Sequence, residues 1–176
     1  MKLPPFSQIT FPLLFSSSLF GDTNFSGFRP LYTNNPTASI RSADLNDDGR
    51  PDLIINGSRL AELRLNSVSG LTSALTITDG FIESFGDLDG DGDLDAIATY
   101  RVGTSFNRRV SWLANDGSGN LSSVENLINY GIDATVMPPV DLDNDGDLDV
   151  IVGTFSKFLW MENIDGRGTF GPSQSI

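Results

Sequence analysis

The sequence predicts an all-β chain made of repeated four-stranded units. A nine-residue Asp-rich segment occurs three times, at 44–52, 87–95 and 141–149, and each copy runs directly into an apolar stretch rich in β-branched residues. No segment combines a helical period of apolar residues with capping residues. The first aspartates lie 43 and then 54 residues apart. That spacing is typical of propeller blades, whose unit has about four strands.

The repeats divide the chain into an N-terminal segment, 1–37, and three units at 38–79, 80–133 and 134–176. In each unit we expect one strand, the acidic loop and then three further strands. For the third unit these strands are expected at 134–140, 148–155, 157–163 and 168–176. Residues 11–33 look like the last two strands of a further repeat without its loop, so the chain is predicted to hold three full blades and an N-terminal half-repeat.

The first 22 residues allow two interpretations. One lysine followed by apolar residues is typical of a secretion signal, but three prolines interrupt the stretch and no small-residue cleavage site follows. Phe11, Leu13 and Phe15 alternate as in a strand, which favours the strand interpretation. No part of the chain approaches the roughly 20 apolar residues of a membrane-spanning helix.

A second repeat follows the acidic loops. VSWLANDGSGNL at 110–121 matches FLWMENIDGRGTF at 158–170, and AELRLNSVSGL at 61–71 is a degenerate copy. The pattern predicts a strand, a Gly-rich reversal and another strand. Trp112 and Trp160 are therefore expected to pack blades together rather than to form ligand platforms.

The net charge of -12 comes from the loops, because 14 of the 23 acidic residues lie in the three windows. Such clustering is self-repulsive unless a cation neutralises it. No basic stripe exists to bind phosphates, so nucleic acid is not an expected partner. The absence of cysteine and histidine leaves only oxygen ligands, which suit a hard cation.

Each loop places oxygen-bearing side chains at positions 1, 3, 5 and 9, glycine at position 6, and a backbone carbonyl at position 7. Side chains at alternate positions of a coiled loop can face one point, which gives the six or seven oxygens that calcium prefers. We therefore expect about three calcium ions per chain. The predicted ligands are Asp44, Asn46, Asp48, Arg50 and Asp52; Asp87, Asp89, Asp91, Asp93 and Asp95; and Asp141, Asp143, Asp145, Asp147 and Asp149.

An EF-hand begins with the same spacing but requires a bidentate glutamate at position 12 and flanking helices. Position 12 is Ile55, Ala98 or Val152 here, so the EF-hand interpretation fails. The first loop has three carboxylates where the others have four, and it contains Arg50. It is predicted to bind calcium most weakly.

The pattern D-x-[D/N]-x-D-G-x-x-D followed by an apolar strand and a W-x-x-N segment resembles the FG-GAP/VCBS repeats of integrin α-subunit propellers and of many bacterial surface proteins. The resemblance covers about 38–176. It implies four-stranded blades, calcium in the loop between the first two strands, and an adhesive or binding role. In this chain Asn46 replaces a carboxylate and the first repeat lacks the tryptophan.

These features predict a secreted or cell-surface calcium-binding protein rather than an enzyme. Closed propellers have about four to eight blades, so three and a half repeats are expected to assemble with other copies of the chain into rings or filaments. A carbohydrate or protein ligand is compatible with this interpretation. An extracellular structural filament and, less favoured, a calcium-dependent polysaccharide-active enzyme remain as alternatives.

Overall fold

The structure is a computed structural model that describes residues 37–57, 60–103, 107–130 and 134–176. All of these residues lie in one unit, Thr33–Ile176. The predicted N-terminal half-repeat falls outside the described residues. The choice between a secretion signal and a strand for the first 22 residues falls outside them as well.

The described strands form three four-stranded antiparallel sheets, numbered here as blades one to three in chain order. Blade one contains β1 (Thr37–Ala43), β2 (Asp52–Gly57), β3 (Leu60–Ser67) and β4 (Gly70–Thr78). Blade two contains β5 (Gly80–Gly86), β6 (Asp95–Arg101), β7 (Arg108–Asn115) and β8 (Leu121–Tyr130). Blade three contains β9 (Ala134–Val136), β10 (Val150–Thr154), β11 (Phe158–Met161) and β12 (Gln174–Ser175). The predicted all-β architecture of four-stranded units is confirmed.

The two edge strands of blade three are shorter than the sequence predicts. After β9 ends at Val136, the ladder is reduced to one hydrogen bond from the Met137 N–H to the Ile151 carbonyl and the isolated bridge between Val140 and Asp149. The prolines at 138–139 lie in this gap, and proline has no N–H to donate to a neighbouring strand. At the other edge, Pro172 removes a donor just before the two-residue β12.

Each acidic loop connects the first two strands of its blade. The residue before the loop pairs with the last aspartate of the loop in all three blades: Ala43 with Asp52, Gly86 with Asp95, and Val140 with Asp149. The glycine at position six has a positive φ, 79° at Gly49, 96° at Gly92 and 104° at Gly146. Residues with a Cβ rarely adopt that conformation, so glycine allows the chain to turn back there.

Two apolar clusters fill the spaces between consecutive blades. The first joins Leu45, Ile54, Ala61, Leu63 and Ile77 of blade one to Ile82, Ala96, Ala98 and Leu113 of blade two. The second joins Leu88, Ile97, Val110 and Trp112 of blade two to Val136, Val150, Val152 and Met161 of blade three. Blade two therefore contributes to a core on both of its faces, which explains the run of five buried residues at the start of β6.

Trp112 is a blade-packing residue, as the sequence predicts. Its side chain is almost fully buried, and its ring meets that of Phe170 edge to face, with centroids 6.1 Å apart. Gly168 of blade three lies so close to the indole that a Cβ at this position would overlap it. The glycine lets the turn of blade three close over the tryptophan of blade two.

Asparagine side chains form hydrogen bonds between consecutive blades. The Asn115 amide of blade two donates to the Leu45 carbonyl of blade one at 2.7 Å. In the same way the Asn163 amide of blade three donates to the Leu88 carbonyl of blade two at 2.9 Å. Both leucines occupy position two of an acidic loop, and their side chains are buried in the clusters between blades. One residue in each loop thus provides both an apolar contact and a hydrogen-bond acceptor to the next blade.

We expect Leu88→Ala to lower the free energy of unfolding by about 2–5 kcal/mol, because it opens a cavity in a fully buried contact between blades. Leu142→Ala is the matched control, since Leu142 occupies the same loop position in blade three but is exposed. Urea denaturation, below the concentration at which light scattering detects association, measures both variants. Equal losses would contradict this account of the contact.

Candidate metal centres

The first aspartate of each acidic loop organises the loop backbone. In loop two, Asp87 accepts hydrogen bonds from the N–H groups of Gly90 at 2.8 Å and Gly92 at 3.0 Å. Asp44 and Asp141 likewise accept from the residues at positions five and six of their own loops. These bonds wrap the backbone around the carboxylate at position one, as in an Asx turn.

The aspartate at position five orients the next part of the loop. Asp48, Asp91 and Asp145 each accept the backbone N–H of position seven at 2.9–3.0 Å. The position-seven residues are Arg50, Asp93 and Asp147, for which the sequence predicts a ligating backbone carbonyl. In each of these residues the backbone N–H is hydrogen-bonded within the loop. Ligation of a metal ion by the backbone carbonyl stays a prediction.

The aspartate at position nine ties the loop to the body of its blade. In loop two, Asp95 is fully buried and accepts the N–H of Leu88 at 3.0 Å and that of Asn115 at 2.9 Å. Burial raises the pKa of Asp95, whereas the same two N–H donors lower it. Asp52 and Asp149 make the equivalent pairs of bonds and are also fully buried.

Loops two and three each bring three carboxylates together. The closest oxygens of Asp87, Asp89 and Asp95 lie within 4.8 Å of one another, as do those of Asp141, Asp143 and Asp145. These groups could hold a metal ion. The other predicted residues of the two loops, at 91, 93, 147 and 149, are not part of them.

Electrostatics disfavours these groups of carboxylates without a counter-ion. Burial raises the pKa of Asp89, and the nearby Asp91 carboxylate raises it further. Burial likewise raises the pKa of Asp143, with additional contributions from Asp145 and Asp149. A cation among the carboxylates would offset both the lost hydration and the repulsion.

Loop one differs from the other two. Among the described residues it holds no comparable group of three carboxylates, because position three is Asn46. The side-chain oxygen of Asn46 is nevertheless buried, and none of the residues that the structure describes donates a hydrogen bond to it. A buried amide oxygen without a partner carries a desolvation penalty that a cation would relieve. Arg50 instead pairs with Asp48, with 3.2 Å between the guanidinium and the carboxylate, and so competes for a predicted ligand.

Sequence reasoning missed the asparagines at 66, 115 and 163, which end the W-x-x-N segment or its degenerate copy. Each backbone N–H bonds the position-nine aspartate of the same blade, at 2.7–2.9 Å. The side chains at 115 and 163 also bond the preceding blade. The signal was present in the sequence, since the asparagine recurs in all three copies, but the repeat alone did not indicate a function for it.

A family model described as an FG-GAP-like repeat matches residues 87–152, from the first aspartate of loop two into β10. The chain carries an FG-GAP-like repeat. This confirms the resemblance found in the sequence, and the match spans two of the three acidic loops. A comparison with curated protein sequences finds no significant match.

Among solved structures, the chain is similar to an Agrocybe aegerita lectin, described as recognising non-reducing terminal N-acetylglucosamine specifically. The TM-score is 0.50 and the sequence identity is 24%. The similarity covers 78% of this chain but 37% of the lectin, and at this identity it concerns the fold alone. Within the part of the chain that the structure describes, no helix is long and apolar enough to cross a membrane.

We expect Asp95→Asn to lower the free energy of unfolding by about 1–3 kcal/mol, because an amide nitrogen cannot accept one of the two buried N–H bonds. Asp93→Asn in the same loop is the control, since Asp93 accepts no hydrogen bond from the described residues. Its expected change is within about 0.5 kcal/mol. Urea denaturation in the presence of a chelator measures the free energy of unfolding of both variants without a contribution from bound metal. Equal losses in the two variants would refute the role of Asp95 in holding the loop to the blade.

Proposed function

We propose that this chain is an extracellular calcium-binding β-propeller repeat protein that acts in adhesion or binding through self-assembly of incomplete propellers. The observation that carries the metal part is the convergence of three carboxylates in each of loops two and three. All candidate donors are oxygens, which suit a hard cation. Calcium accepts six to eight oxygens in flexible geometry, whereas magnesium demands a tight octahedron and keeps several waters. A loop rich in carboxylates therefore favours calcium.

The three loops are proposed to bind calcium with different affinities. The partnerless Asn46 oxygen supports a site in loop one as well. That site has one carboxylate fewer, and the Arg50 guanidinium engages one of those remaining. Fewer anionic ligands and a competing cation both weaken calcium binding. Loop one is therefore the weakest of the three.

Isothermal titration should detect about three calcium ions per wild-type chain. Asp44→Ala, Asp87→Ala and Asp141→Ala should each lose one site, since the first aspartate also shapes the loop. Asp44→Ala should remove the weakest site and leave the two tighter ones. Glu125→Gln, which removes an exposed carboxylate on β8, serves as the control. A larger loss of total binding free energy from Asp44→Ala than from the other two would refute the ranking.

Self-assembly is proposed because the three blades of the described residues are fewer than the roughly four to eight of a closed propeller. Blade three also exposes large apolar side chains, including Met137, Leu142 and Phe158. Exposed apolar surface that adjoins a sheet favours association with another blade. Calcium would support assembly by neutralising part of the formal charge of -12.

The ligand of the assembled protein is proposed to be a carbohydrate or a protein. The lectin of similar fold is described as recognising N-acetylglucosamine, which supports carbohydrate as one ligand class. The alternative is a structural role, in which calcium-bound units polymerise into an extracellular filament. An enzyme is disfavoured, because the chain has no histidine or cysteine and its clustered carboxylates are assigned to metal.

Light scattering after size exclusion should give a mass above that of the 19.0 kDa monomer in calcium and a smaller mass in chelator. Calcium binding to the folded state should order the loops at the blade edges and so favour association. Electron microscopy of the calcium-bound sample then distinguishes rings, expected for a binding protein, from fibres, expected for a structural one. A compact monomer in both buffers would refute self-assembly.

A further inference from the structure

The outer face of blade three repeats, residue by residue, the faces that blades one and two use to bind the next blade. Each of those faces consists of the position-two leucine, the isoleucine two residues after the position-nine aspartate, and two inward residues of the third strand. In blade two these residues are Leu88, Ile97, Val110 and Trp112, all in the second cluster. The corresponding residues of blade three are Leu142, Ile151, Phe158 and Trp160.

Three of the four side chains on this face of blade three are more exposed than their counterparts, whereas Ile151 is buried as Ile97 is. Leu88 and Val110 are fully buried, whereas Leu142 is 42% exposed and Phe158 54% exposed. Trp160 remains partly exposed, although its counterpart Trp112 is buried under blade three. The third face is therefore an apolar surface built on the same plan as the two occupied ones.

Within the described part of the chain, the hydrogen-bond acceptor of this face also has no donor. The carbonyls of Leu45 and Leu88 each accept an asparagine amide from the following blade. The Leu142 carbonyl has no donor among the described residues, although the Leu142 N–H makes its usual bond to Asp149. Blade three thus presents the apolar surface and the hydrogen-bond acceptor that blades one and two use, but no following blade is bound to them among the described residues.

Blade one presents the surface that would complete this contact. Its asparagine, Asn66, donates to the Pro51 carbonyl at 3.2 Å but to no position-two carbonyl within the described part of the chain. Ile40 is 56% exposed, whereas Ile82 and Val136, which hold the same place in the strand register, are buried against a preceding blade. Gly70 has no heavy atom within 4 Å of a Cβ built on it, whereas a Cβ at Gly119 in blade two would meet the preceding blade. Among the described blades, blade one alone has an asparagine that does not bond a preceding blade.

From this complementarity we infer that the outer face of blade three binds blade one of a second copy, in the register of the contacts within the chain. Asn66 of the second copy donates its amide to the Leu142 carbonyl, as Asn115 does to Leu45. The inference rests on the proposed self-assembly and specifies its contact. Two copies joined through both contacts would place twice the three described blades in one ring, within the usual range of about four to eight.

The side chains of blade one also distinguish this contact from one between two third blades. Arg64 occupies the position held by Leu113 in blade two and Met161 in blade three, and it pairs with Glu62 at 2.8 Å. In the proposed contact Arg64 lies on the side of Trp160, just as Met161 and Trp112 belong to the same cluster between blades two and three. A guanidinium stacks favourably on an indole face, so the polar pair suits an aromatic partner.

The contact can be tested with one variant on each face. Phe158→Asp places a charge on the face of blade three, and Ile40→Arg places a long charged side chain on that of blade one. Both residues are exposed, so each variant should fold. Val124→Asp is the matched control, since Val124 lies on β8, away from both faces, and is 53% exposed. Light scattering in calcium should show each face variant as a monomer where wild type and control are assembled.

Mixing the two face variants provides the decisive measurement. Each variant retains the face that the other has lost, so an equimolar mixture should form a species of two copies, with a dissociation constant at least tenfold below that of either variant alone. Assembly of Ile40→Arg at wild-type affinity would instead indicate a contact between two third blades and overturn the inference. So would assembly that survives both substitutions, although self-assembly itself would then stand. A monomeric wild type that binds calcium would overturn the contact and self-assembly but not the calcium sites.

Discussion

Each acidic loop is tied to its blade by a buried carboxylate that accepts one backbone N–H from the loop and a second from the third strand. In blade two this residue is Asp95, which joins Leu88 to Asn115. A fully buried carboxylate is tolerable only because both oxygens are hydrogen-bonded. These two hydrogen bonds hold the backbone of the residue at position two in place. That residue is the leucine that packs against the next blade. Packing between blades therefore depends on a polar interaction within each blade.

The same loop links the candidate metal site to the packing of blades. Positions one and three, on either side of the leucine, are predicted ligands, and the leucine carbonyl accepts the asparagine of the following blade. An ion that orders the loop also orders the leucine between those ligands. Metal binding at this site would thus share one short stretch of backbone with blade docking, and the free energy of one process would contribute to the other.

The sequence was sufficient to predict the four-stranded units, the position of each acidic loop and the blade-packing role of Trp112, because these follow from local periodicity and from repetition. It was not sufficient to predict the hydrogen bonds that asparagine side chains donate to the preceding blade. Asn115 bonds a carbonyl 70 residues earlier and Asn163 one 75 residues earlier, and no local pattern reports such pairs. The shortened edge strands of blade three depend on where prolines fall in a ladder, which the apolar pattern alone did not indicate.

The three loops are not equivalent once their neighbours are considered. In loops one and two, the carbonyl of the leucine at position two accepts a hydrogen bond from the next blade. Among the described residues, the backbone of Leu142 in loop three has only the hydrogen bond from its N–H to Asp149. Loop three also has a full set of carboxylates and no arginine within it. Among the described blades it therefore combines repulsion between its carboxylates with no contact from a following blade, so its order would depend most on a bound cation. Because the outer face of blade three includes this loop, a cation would act most strongly where a further blade would dock.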